Sequence, residues 1–153
     1  MIKFTYHGEA VGKGRPRVTV KKSKNKDNGQ IYAHAYTPKK TKEFEGAIRF
    51  EFMASNCEPM PVYPRDKTLK AEILIGVPIP KSYPKYKQAL CRCRMIAPNK
   101  KPDIDNIVKS IFDALQGGEC GGYAFADDSQ IVKVVAEKVY ADEPFVEVMI
   151  DEL

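Results

Sequence analysis

Hydrophobic and polar positions alternate from the start of the chain. Ile2, Phe4 and Tyr6 are spaced by Lys3 and Thr5 and followed by His7, the period-two pattern of a half-buried strand. Asn28-Gly29 is a tight-turn signal, so Arg17–Val20 and Gln30–Ala35 are predicted to form a hairpin arm. Thr37-Pro38 reads as an N-cap followed by proline at a first helical position. Phe44, Ala47, Ile48 and Phe52 then recur at helical spacing and predict a helix over 38–55.

Leu69, Ala71, Ile73, Ile75, Val77 and Ile79 give an unbroken alternation, a strand that Pro78 and Pro80 either end or hold to a sheet edge. Residues 80–102 carry Pro80, Pro84, Pro98 and Pro102 and seven basic residues. They predict a long irregular segment with a short helix around 84–94. After Pro102 the pattern turns helical again, with Asp103 as N-cap, Ile104, Ile107, Val108, Ile111 and Leu115 on one face, and Gly117-Gly118 as the stop. Two β-rich runs, 130–140 and 145–151, close the chain, with Asp142-Glu143-Pro144 as a hairpin turn between them. The implied architecture is one α/β (α+β) domain over residues 1–153. It has a mixed sheet of about four strands with two helices packed against it, in the order β-α-β-α-β-β.

Composition excludes several classes. No apolar run approaches the ~18 residues of a membrane span, and the first strand begins without a signal-peptide layout, so a cytoplasmic protein is expected. Cys57, Cys91, Cys93 and Cys120 lack zinc-knuckle spacing, and neither His7 nor His34 lies near Cys91-Arg-Cys93. Free thiols are the expectation. The net charge of +5 conceals an asymmetry. Residues 1–100 carry 21 Lys/Arg against 8 Asp/Glu, a net of +13, whereas residues 101–153 carry 4 against 12, a net of −8. A basic part suited to a polyanion is thus joined to an acidic part suited to cations.

The acidic part contains Lys101-Pro-Asp-Ile-Asp-Asn-Ile-Val-Lys109 and, further on, Asp127-Asp128. Each member has an ordinary explanation. Asp103 can cap a helix, Asp105 and Lys109 can form an i,i+4 ion pair, and Asp127-Asp128 can be a turn. Together they are hard oxygen ligands beside one cation, as a Mg²⁺ site for phosphate chemistry requires. Asp113 extends the same polar face, and packing of the 130–140 strand beside the helix would bring the Asp127-Asp128 turn near the helix start. An EF-hand is excluded, because Ile104, Ile107 and Val108 occupy loop positions.

Residues Lys101 to Leu115 and Phe125 to Ile131 resemble the core of the RusA-type Holliday junction resolvases, in particular their phage and prophage branch. Gly12-Lys-Gly-Arg-Pro-Arg17, Tyr36-Thr-Pro-Lys-Lys-Thr-Lys42 and Pro80-Lys-Ser-Tyr83 are similar to that branch as well. The resemblance implies that Asp103, Asp105 and Asp128 bind Mg²⁺, with Mn²⁺ as the alternative ion. Asp127 is a further acidic position of the metal site, and Lys109 matches the family's essential lysine. It also implies a homodimer that cuts opposed strands of a four-way DNA junction in the cytoplasm of a bacterial or phage-infected cell.

In that setting Lys13, Arg15, Arg17, Lys21, Lys22, Lys81, Lys85, Lys87, Arg92, Arg94, Lys100 and Lys101 are the expected contacts to the DNA backbone. Tyr83 and Tyr86 are candidates for stacking on an unpaired base. Two other readings stay open on the residues alone: a non-catalytic DNA-binding recombination accessory protein, and a metal-dependent phosphatase of small substrates.

Overall fold

The computed structural model describes residues 1–15, 17–22, 31–55, 63–117 and 123–153. Asn28-Gly29, Gly118, Cys57 and Cys120 lie outside the described residues. The alternating segments are strands: β1 (Ile2–His7), β4 (Leu69–Pro78), β5 (Ile131–Ala141) and β6 (Phe145–Glu152) form one mixed sheet in the order β1-β6-β4-β5. β2 (Arg17–Lys22) and β3 (Ile31–Tyr36) pair antiparallel as the expected arm, with Arg17 opposite Tyr36. The helices are α1 (Lys39–Ser55), α2 (Lys85–Arg92) and α3 (Ile104–Leu115). This is the α+β arrangement the patterns predict, with the short helix in the basic segment as a third.

Sheet order decides one open alternative and corrects one expectation. β4 is central, paired parallel with β5 and antiparallel with β6, so Pro78 ends it and does not mark an edge. Asp142–Pro144 is not a hairpin turn, because β4 lies between β5 and β6 and the link must cross its end. Nothing in a three-residue polar link distinguishes a hairpin from such a crossing. Gly76, near that end, has a specific cause: a Cβ there would overlap the ring of Phe145, its partner in the register.

One face of the sheet is buried at Ile2, Phe4, Leu69, Ala71, Ile73, Ile75, Val146, Val148 and Ile150. Phe44, Ile48 and Phe52 of α1 and Ile107, Ile111, Ala114 and Leu115 of α3 complete this core. Each large apolar side chain so buried contributes about 1.5–3 kcal/mol relative to exposure. Parallel β4 and β5 need a crossover, and α2 and α3 supply it, which is what sets α3 beside β5. Among the described residues no helix is long and apolar enough to cross a membrane.

Candidate active site

α3 carries most of the acidic motif, and its start is held from outside. Asp103 occupies the N-cap position in extended conformation (φ −71°, ψ 143°), yet its side chain makes no capping hydrogen bond. The turn before it is secured by Lys138 of β5, whose Nζ donates to the carbonyl oxygens of Lys100 at 2.9 Å and Pro102 at 3.0 Å. The amide of Lys13 donates to the Asn106 carbonyl at 2.8 Å. Gly12 permits this approach, since a Cβ there would press on Asn106 and Pro102 at 3.2 Å. The carboxylate of Asp103 is left exposed, with no capping role.

Asp105 and Lys109 are both exposed, one helical turn apart, and form no ion pair with each other among the described residues. They share a depression of roughly 510 Å³ with Asp128. Its walls are Ile104, Val108 and Phe112 of α3, and Val134 and Ala136 of β5 form its floor. Two carboxylates and one ammonium therefore edge a cleft with an apolar base. A second depression, of roughly 250 Å³, opens on the other face of the sheet among Glu72, Glu137 and Glu147. It has no lysine on its lining.

The two adjacent aspartates differ in employment. Asp127 caps the short 3-10 turn Asp128–Gln130, its Oδ1 accepting from the Ser129 amide at 3.0 Å. Hydrogen bonds from the Ser129 side chain and amide hold its pKa below the ordinary carboxylate value. Gln130, which is buried, completes the capping box. Its Oε1 accepts from the amides of Ala126 and Asp127 at 2.9 and 3.0 Å, and its Nε2 donates to the Pro64 and Lys67 carbonyls at 2.7 and 3.2 Å. The turn is thereby pinned while the Asp128 carboxylate stays exposed in the cleft. The sequence already held this signal in Asp127-x-x-Gln130, a capping-box spacing.

Asp103 stands apart from this cleft. It lines a neighbouring depression with Gly12, Lys13, Lys101, Pro102 and Asn106. Helix and strand run in opposite directions: Lys138, late in β5, meets the start of α3, whereas Phe125, before β5, pairs with Gln116 at its end. Asp128 therefore approaches the cleft from the direction of the helix's far end, and the cleft it lines extends to Ile104 and Asp105 in the first turn of α3. Among the described residues no three carboxylate, imidazole or thiol groups stand close enough together to cage a metal ion. The donor set nonetheless fits Mg²⁺, which is usually held by one or two carboxylates with waters and substrate phosphates completing its shell.

The basic residues divide similarly. Arg15, Lys81, Lys85, Arg94, Lys100 and Lys101 are exposed. Lys13, expected on phosphate, instead bonds Asp113 at 2.5 Å and Glu45 at 2.8 Å, half-buried between α3 and α1. Burial opposes its charge, but hydrogen bonds to Asp113 and Glu45 outweigh that and raise its pKa above the ordinary lysine value. Asp113 is thus paired with Lys13 and is not part of the lining of the Asp105–Lys109–Asp128 cleft. Arg92, also expected on DNA, forms a two-pronged pair with Asp142, with contacts of 2.8–3.1 Å. Lys87 lies 3.9 Å from the ring centre of Tyr83, which packs edge-on against Tyr140. Tyr86 is the exposed aromatic of that segment. Arg17, Lys21 and Lys22 are backbone members of β2, and their side chains lie outside what the structure describes. Cys91 is buried and Cys93 exposed, both free thiols.

A model of the family described as endodeoxyribonuclease RusA matches residues 7–151 of this chain. The chain is also 34% identical over 152 residues to the uncharacterized protein YqaN of Bacillus subtilis strain 168, across 99% of this chain and 96% of that protein.

Proposed function

The chain belongs to the RusA endodeoxyribonuclease family, and on that premise we propose that it is a divalent-metal-dependent endonuclease that resolves four-way DNA junctions by paired nicks in opposed strands. The observation that carries this reading is the cleft in which Asp105, Lys109 and Asp128 meet. Asp105 and Asp128, with Asp103 joining from the neighbouring depression, would hold Mg²⁺ or Mn²⁺. When bound, the ion supplies an acidified water and stabilises charge on the leaving 3′-oxygen.

Lys109 faces the same space and neutralises charge on the scissile phosphate as it develops. Arg15, Lys81, Lys85, Arg94, Lys100 and Lys101 hold the phosphate backbone, so affinity falls with salt and carries little sequence information. Tyr86 is free to stack on an unpaired base at the junction centre. The chain works as one domain and as a homodimer with one active site per subunit, in the cytoplasm of a bacterial or phage-infected cell.

The test is nicking of a synthetic four-way junction and a matched duplex in Mg²⁺ and in EDTA. Symmetric nicks in the junction, abolished by EDTA and lost in Asp105→Asn while binding persists, are expected. An intact junction in Mg²⁺, or an Asp105→Asn protein as active as the parent, would sink the reading.

A further inference from the structure

β5 pairs with β4 along one side, and among the described strands nothing pairs with its other side. Arg94, Ile96 and Ala97 flank the strand from Glu137 to Tyr140, so the bare stretch is 132–136, with Glu137 at its border. Natural edges are usually blunted by proline, bulges or inward-pointing charge. This one has a register irregularity at Val132, which the pairing with β4 skips between Ile131 and Lys133. Beyond it the edge is regular, and it exposes three valines, Val132 at 57%, Val134 at 45% and Val135 at 52%. Lys133 and Glu137, on the same strand, are exposed and in no ion pair among the described residues.

We propose that this edge is the surface on which a second copy of the chain docks, the two β5 strands pairing antiparallel about Val135. The inference rests on the homodimer of the reading above and names its interface. The register follows from charge. A two-fold axis perpendicular to the sheet keeps every side chain on its own face, so each residue meets one of the same parity. Centring on Val135 sets Lys133 opposite Glu137 of the second copy, and Glu137 opposite its Lys133, two ion pairs on one face. Centring on Lys133 or Glu137 opposes like charges, and centring on Val134 leaves both charges unpaired. In the chosen register Val134 faces Ala136 of the second copy, and these residues form the floors of the two clefts. The four-stranded sheets become one eight-stranded sheet, and both clefts open on its helix-bearing face, either side of the axis.

A charge-swap cycle read by sedimentation or light scattering tests this, with junction nicking by the parent protein followed in parallel. Lys133→Glu and Glu137→Lys should each raise the dimer dissociation constant roughly tenfold or more, and the double swap should restore it. Val135→Cys should cross-link to its own copy under mild oxidation, because Val135 meets itself across the axis, whereas Val132→Cys should not. The parent chain controls for its native thiols, and this positive signal does not depend on destabilising the fold. A dimeric parent that is indifferent to both single reversals, or equal cross-linking at 132 and 135, overturns the interface and leaves the dimer reading intact. A monomeric parent that still nicks junctions overturns both dimer and interface but not the nuclease. A parent that pairs through β5 but leaves junctions uncut overturns the nuclease reading alone.

Discussion

The ammonium of Lys138 donates to the carbonyl oxygen of Pro102 at 3.0 Å, tying β5 to the residue immediately before Asp103. Its second bond, to the Lys100 carbonyl, means that a single side chain secures the approach to α3. Lys138→Met should therefore lower turnover about 10- to 100-fold through displaced carboxylates while leaving junction affinity nearly unchanged. Lys138→Arg should recover part of the loss. Single-turnover nicking and binding titrations, run side by side, check the split.

Asp127 and Asp128 should separate cleanly. Asp127→Asn keeps an acceptor for the Ser129 amide and should fold and nick nearly as the parent does. Asp128→Asn leaves the capping box untouched and removes a charge from the cleft, with an expected loss of roughly 100-fold or more in nicking. Comparable activity in the two variants would reverse their ranking.

Lys13→Met strands Glu45 and Asp113 beside each other between two helices. Urea denaturation at neutral pH should show a loss of about 1–3 kcal/mol, discounted for the partial exposure of the group. The pKa of Lys13 is raised in the folded state, so its contribution is fully present below the ordinary lysine value. It fades only as the pH rises above that value and through the folded one. The stability gap between parent and variant should hence stay level through neutrality and narrow on the alkaline side. Junction affinity at neutral pH should change less than for Lys101→Ala, whose side chain is exposed.

Gly76→Ala should destabilise by about 1–3 kcal/mol, since the added Cβ overlaps the Phe145 ring. Combined with Phe145→Leu, which thins the obstacle, the cost should be smaller than the sum of the two single changes. Thermal melts of the four proteins measure the coupling.

Local chemistry explains which parts of this molecule the sequence discloses. Ile104, Ile107, Val108, Ile111 and Leu115 announce α3 because a helix buries one stripe, and the alternation from Leu69 announces β4 for the corresponding reason in a strand. The order of strands is set by contacts between distant segments, so the crossing at Asp142–Pro144 looks like a hairpin until β4 is found inside it. Charge misleads where partners are remote in sequence. Lys13 and Arg92 read as phosphate contacts, and only the fold brings Asp113 and Asp142 to them. Lys138 had no signal at all, because its partners are backbone carbonyls and no motif encodes them.

The interior position of β6 bears on how the protein is made. β6 is the last strand in sequence, yet it joins β1 to β4, pairing Ile2 with Ile150 and Ala71 with Ile150. During synthesis β1 and β4 emerge first and share no neighbour. At ~5–20 residues per second β4 then waits on the order of ten seconds for both of its partners. Throughout that interval two apolar strand edges are bare on the nascent chain, which is when a chaperone, or a neighbouring ribosome's product, has its best opportunity to bind them.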